Sequence, residues 1–126
     1  KEISQEMGWE EQAGRQDAYH GLRATLHAVR DRLVPDEAID LGAQLPLLIR
    51  GIYYENWRPA RTPQRIRDRE EFLARVREEY EGEHEATAEA LVRASLDTLA
   101  RHVSPGEMAQ VKDMFPADLH DLWTDH

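Results

Sequence analysis

The chain contains no cysteine, so disulfide staples, thiolate zinc sites and cysteine nucleophiles lie outside its chemistry. Serine is scarce too, with Ser4, Ser95 and Ser104 the full set. Ser95 falls inside a long helical pattern and Ser104 in a capping position. Neither a nucleophile elbow nor a glycine-rich phosphate loop is present. No apolar run approaches the length of a membrane helix, and no secretory signal pattern is visible. Positive charge is in deficit. The formal net charge is -9, which opposes general binding to nucleic acid or to anionic membrane surfaces. Together these absences give the expectation of a soluble, acidic, cytoplasmic chain with no nucleic-acid and no membrane partner.

What is present suits one folded domain over residues 1–126. That length buries a core without staples, and an apolar content of 40% exceeds that of disordered chains. From Asp17 onward, Tyr19, Leu22, Leu26, Val29 and Leu33 recur at spacings of three and four, the stripe of an amphipathic helix. Pro35 ends that helix, because the residue before proline is biased away from helix. Pro35-Asp36-Glu37 then reads as a first turn, with Ala38, Leu41 and Leu45 facing inward. Pro46 opens a further helix carrying Leu47, Leu48, Ile49, Ile52 and Tyr53.

The pattern returns 70 positions later without a gap. Arg23-Ala24-Thr25-Leu26 matches Arg93-Ala94-Ser95-Leu96, while Pro35, Glu37 and Pro46 match Pro105, Glu107 and Pro116. Two amphipathic helices align by chance easily, but two prolines and a glutamate in the same register do not. An internal duplication follows. Residues 1–57 form the first repeat, 58–68 an Arg/Pro connector with Pro59 and Pro63, and 69–126 the second repeat. Each copy should begin with a short helix, Glu2 to Gly8 in the first and Arg69 to Tyr80 in the second, the latter with Phe72, Leu73 and Val76 inward. The expected fold is therefore all-α, with about four helices per copy, about eight in all, related by a pseudo-twofold axis. Ser104-Pro105-Gly106-Glu107 reads as a capping box, whereas Val34 leaves the first copy without a capping side chain.

The stretch Leu45-Pro46-Leu47-Leu48-Ile49-Arg50-Gly51-Ile52-Tyr53-Tyr54-Glu55-Asn56-Trp57-Arg58-Pro59 resembles the signature of domain-of-unknown-function family 2267. Arg23 to Leu33, Glu70 to Val76 and His102 to Glu107 are similar to it as well. The resemblance covers nearly the whole chain. It implies a bacterial, all-helical, two-repeat protein with no assigned activity. It also implies a short apolar stretch ahead of Lys1, hence an expected trimmed N-terminus.

Constellations that could carry chemistry are thin. His20 and His27 share a helix face, but Arg23 and Arg30 flank His27 and disfavour a cation, so both read as surface histidines. Acid-x-x-His spacing occurs at Asp17 with His20 and at Glu81 with His84, yet the two are not at equivalent repeat positions and Gly82 interrupts the second. The acidic run Glu78, Glu79, Glu81, Glu83 and Glu85 lacks the alternating ligands of a calcium loop. No catalytic residue, metal ligand or cofactor is assigned. Arg58, Arg61, Arg65, Arg67 and Arg69 concentrate positive charge in the connector. They read either as a phosphate contact or, preferably, as partners for acidic helices of the same domain or of a neighbouring subunit.

One asymmetry stands out between the copies. Leu47, Leu48, Gly51 and Tyr54 occupy positions that the second copy fills with Ala117, Asp118, Asp121 and Thr124. Leu47, Gly51 and Tyr54 share a face beside Leu48, and Trp57 follows. A helix apolar on two sides is expected to be buried on two sides, as a central helix packed on the other repeat. The alternative is a functional surface of Leu47, Leu48, Gly51, Tyr54, Trp57 and Arg58. The preferred function is a non-enzymatic protein-interaction or scaffold module with a homo-oligomeric or other protein partner. The second is an effector-binding domain in which Tyr53, Tyr54, Trp57 and Arg58 line an aromatic and cationic pocket.

Overall fold

The computed structural model describes residues 12–82 and 87–123, with side chains from Asp17 onward. Among them lie six α-helices: α1 (Gln12–Arg32), α2 (Pro35–Ala43), α3 (Leu47–Tyr54), α4 (Arg69–Glu79), α5 (Ala88–Ala100) and α6 (Pro105–Asp113). Two 3-10 turns, Pro59–Arg61 and Ala117–Leu122, complete them, and no strand occurs among the described residues. The short helix expected at Glu2 to Gly8 lies outside the described residues. No described helix is long and apolar enough to cross a membrane.

Helix α1 is the centre of the fold and packs against α3, α4 and α5. Leu22, Leu26, Val29 and Leu33 are buried as the periodicity requires, but Tyr19 at the head of the stripe is exposed. Where α1 meets α5, Gly21 lies against Leu91, and small buried residues recur on both helices, Ala24, Thr25 and Ala28 on one and Ala94 and Ser95 on the other. Small residues let the backbones approach. Gly21 leaves room for Leu91 there, since a Cβ on it would come within 2.7 Å of Leu91 Cδ2 and push that side chain aside.

Local chemistry sets the helix boundaries. Val34 is extended and Pro35 opens α2 with no side-chain cap. Asp68 Oδ1 accepts from the Glu71 amide at 3.0 Å and starts α4, while Thr87 and Ser104 cap α5 and α6 in the same way. Asn56, at φ 58, ends α3 in the left-handed region that asparagine tolerates. The capping box at Ser104 is only half formed. Its Oγ accepts from the Glu107 amide at 3.1 Å, but the Ser104 amide donates to Gln44 Oε1 at 2.7 Å instead of to Glu107.

Two expectations need correction. The stretch after Pro116 is a 3-10 turn, not an α-helix like α3. Leu119, Leu122 and Trp123 still reach the core, where Trp123 packs on Phe115 and Phe115 on Phe72. Nor is α3 a helix buried on two sides, since Leu47 is 78% exposed and Leu48 84%. The reason is positional. Helix α3 packs on α1 and α2, and it is α1 and α5 that meet in the middle.

Candidate functional site

Helix α3 is eight residues long, too short to be stable by itself, and it is pinned at both ends. At its start, Arg50 reaches back to the C-terminus of α2. Its Nε donates to the Gly42 carbonyl at 2.9 Å, and Nη2 to Ala43 at 3.1 Å and Leu45 at 3.0 Å. These are carbonyls that a helix end leaves without intrahelical partners, and a cation suits the negative end of the dipole. Gly42 also lets the rings close in, for a Cβ there would run into the Tyr54 hydroxyl.

At the far end, α1 supplies the clamp. Arg23, His27 and Arg30 lie on one face of α1. Arg30 Nη1 donates to the carbonyls of Tyr53 at 2.8 Å and Glu55 at 2.6 Å. Arg23 Nε bonds Glu55 Oε1 at 2.8 Å, which raises Arg23 and holds Glu55 below the usual carboxylate range. His27 is not the surface histidine expected from its spacing. It is 4% exposed, with Nε2 2.7 Å from the Ile52 carbonyl and Nδ1 3.0 Å from Glu79 Oε2. The ring is hydrogen-bonded to α3 and faces the Glu79 carboxylate of α4, so it bridges α1, α3 and α4. It borders a mixed-charge hollow of about 490 Å³ lined also by Asp31, Arg75, Glu78 and Glu79. Among the described residues, no three metal-ligating side chains gather anywhere.

Pinned in this way, α3 turns Ile49, Ile52 and Tyr53 toward the core and Leu47, Leu48 and Gly51 outward. Leu47 and Leu48 stand four and three residues before Gly51, so the three make one patch on the helix surface. Among the described residues, nothing lies within 4 Å of where a Cβ on Gly51 would sit. The other expected site residues fall elsewhere. Tyr54 is half-buried over Gly42 and packs on Trp57 with ring centroids 5.4 Å apart. Trp57 is half-buried and Arg58 exposed. Tyr53, offered as a pocket wall, is fully buried, and its hydroxyl donates to the Ala38 carbonyl at 2.7 Å. Burial pushes that phenol far above its ordinary range. These rings pack on one another and on the core.

The connector arginines divide into two groups. Arg69 Nη1 bonds Asp121 and Nη2 bonds Glu89, each at 2.5 Å, which lowers both carboxyls. Arg67 Nε pairs with Glu71 at 3.0 Å. Arg58, Arg61 and Arg65 are exposed and form no ion pair among the described residues.

Sequence reasoning missed one further cluster. Glu37 and Glu107 are both buried where α2 packs against α6. Burial, then the adjacent Glu37 carboxyl and Asp40, push Glu107 up to about 7. The signal available in the sequence was their common register, at Pro35-Asp36-Glu37 and Pro105-Gly106-Glu107.

Compared with known families, residues 1–122 match the family model described as "Uncharacterized conserved protein (DUF2267)". No curated protein matches the chain.

Proposed function

The chain belongs to domain-of-unknown-function family 2267, and we propose that it is a non-enzymatic protein-interaction module whose working surface is the outer face of α3. The observation that carries this reading is the exposure of Leu47 and Leu48 beside a bare Gly51, on a helix held rigid at both ends. Apolar side chains this exposed and this well anchored favour contact with another surface.

The occupant we propose is a second copy of the chain. A projecting leucine at 48 and the bare backbone of Gly51 lie one turn apart on the same face, so a twofold axis lets each leucine rest over the other copy's Gly51. Burying two leucines supplies about 3–6 kcal/mol, while association costs about 4–15 kcal/mol in lost rigid-body freedom. The contact is therefore weak and reversible unless neighbouring residues add to it. Light scattering over a concentration series tests this. Wild type should gain mass with concentration and Leu48→Asp should not. Wild type that stays monomeric at the highest concentration removes the second copy as occupant.

We also infer that the chain arose by duplication. Support comes from matched details 70 positions apart in the chain. Helices α2 and α6 each have nine residues and a proline at the start. Arg50 and His120 occupy equivalent positions and bond the equivalent carbonyls of Leu45 and Phe115. On this reading α3 is the specialised member of its pair. Its clamp residues His27 and Arg30 have Asp97 and Ala100 as counterparts, and there the chain makes a 3-10 turn.

A further inference from the structure

Three guanidinium groups converge at the end of α1 in a chain that is acidic overall. Arg32, in the last turn of α1, lines a shallow hollow of about 640 Å³ with Pro63, Arg65, Ile66 and Arg67. Among the described residues the lining holds no carboxylate. Arg32 Nε is buried and finds no acceptor among the described residues. Arg65 is exposed and has no ion pair among them, and Arg67 is bonded to Glu71 through Nε only. Pro63 and the buried Ile66 supply an apolar wall.

Unopposed like charges brought together repel, and a buried N–H without an acceptor is a cost to the fold. An anion in the hollow relieves the repulsion among the guanidinium groups. We propose that this hollow binds a small, multiply charged anion through phosphoryl or carboxylate oxygens, with the Arg32 and Arg65 guanidinium groups as principal donors. Guanidinium groups suit such oxygens because their N–H groups fork toward two acceptors at once. Two facts confine the ligand to a small molecule. The net charge of -9 repels a long polyanion. The positive stripe also stops at Arg69, which is already bonded to Glu89 and Asp121.

The test is calorimetric titration of the whole chain with pyrophosphate and, separately, with citrate at low salt. The expected result is saturable one-to-one binding of at least one of them, and the tighter of the two identifies the oxygen source. Arg32→Gln and Arg65→Gln should each weaken it about tenfold, the scale of one charge-assisted hydrogen bond. Arg61→Gln, on the same connector but outside the lining, should leave it unchanged. Glu71→Gln, which releases Arg67, should tighten it. Circular dichroism confirms that each variant is folded, and the exposed Arg65 carries the test if Arg32→Gln is not. Absence of saturable binding of both probes overturns the proposal, as does equal weakening by Arg61→Gln. So does tighter binding of a single-stranded oligonucleotide than of pyrophosphate, which would make the connector a polyanion track.

Discussion

Glu37 and Glu107 stand 70 positions apart in the chain, and the packing of α2 against α6 buries both carboxyls side by side. Two buried carboxyls in contact share a proton more readily than they carry two charges. Glu107 is raised from 4.5 to about 7, so the folded state holds a proton that the unfolded chain releases first. The stabilising effect is complete below about 4.5 and is lost as pH rises through about 7. Glu107→Gln should flatten this part of the profile and be the more stable protein at pH 8, measured by urea unfolding at pH 5.5 and pH 8. Lower stability of the variant at pH 8 contradicts the arrangement. Glu55, Glu89 and Asp121, whose carboxyls are lowered, act in a separate window below their ordinary values.

Two glycines should respond to alanine with opposite signs. Gly51 is exposed in the middle of α3 with open space over it, so Gly51→Ala should stabilise by about 0.5–1 kcal/mol through helix propensity. Gly21→Ala gains the same propensity but drives a methyl against Leu91, costing about 1–3 kcal/mol from overpacking. Thermal unfolding of the pair reads the difference. A stabilised Gly21→Ala would mean that the Leu91 side chain gives way to the added methyl.

Arg30 is buried and donates to the carbonyls of Tyr53 and Glu55 while its Nε holds Asp31 at 2.8 Å. Arg30→Ala removes these bonds and should cost about 3–5 kcal/mol by chemical unfolding. Arg50→Ala, at the other end of α3 and half-buried, should cost about 1–3 kcal/mol. If neither variant moves the midpoint, α3 is held by its apolar face alone.

Association through α3 should strengthen with salt. Each copy carries a formal charge of -9, so bringing two together works against repulsion that added ions screen. Sedimentation at about 0.05 M and 0.5 M sodium chloride should give the larger mass at the higher salt. The reverse order would assign the contact to ion pairs and not to Leu47 and Leu48.

The all-α fold and most boundaries were legible because they rest on local chemistry. Pro35, Pro46 and Pro105 start segments by restricting φ, and Phe72, Leu73 and Val76 face inward by spacing alone. Contacts between distant residues were not legible. His27 looked solvent-facing because it sits beside the apolar stripe of α1, on its outer side, yet it turns with Arg23 and Arg30 to the end of α3, a partner that no local pattern on α1 announces. Glu107 looked like a capping-box residue until the Gln44 side chain took the Ser104 amide. The double apolar face of α3 was read correctly as a property of the helix. Its location was not, because periodicity says which residues share a face and not what lies opposite. Tyr54 shows the same limit. It shares the face of Leu47 and Gly51 by spacing, yet packs down over Gly42, so Tyr54→Asp would disturb the fold where Leu48→Asp does not.

If the outer face of α3 meets its own copy, a dilution series of amide chemical shifts will map the contact. Between about 1 mM and 0.02 mM, a range set by weak association, the amides of Leu47, Leu48 and Gly51 should shift progressively. They should be absent in Leu48→Asp, with the buried amides of α5 still. Concentration-independent shifts along α3, or shifts that map to another surface and persist in Leu48→Asp, would contradict it.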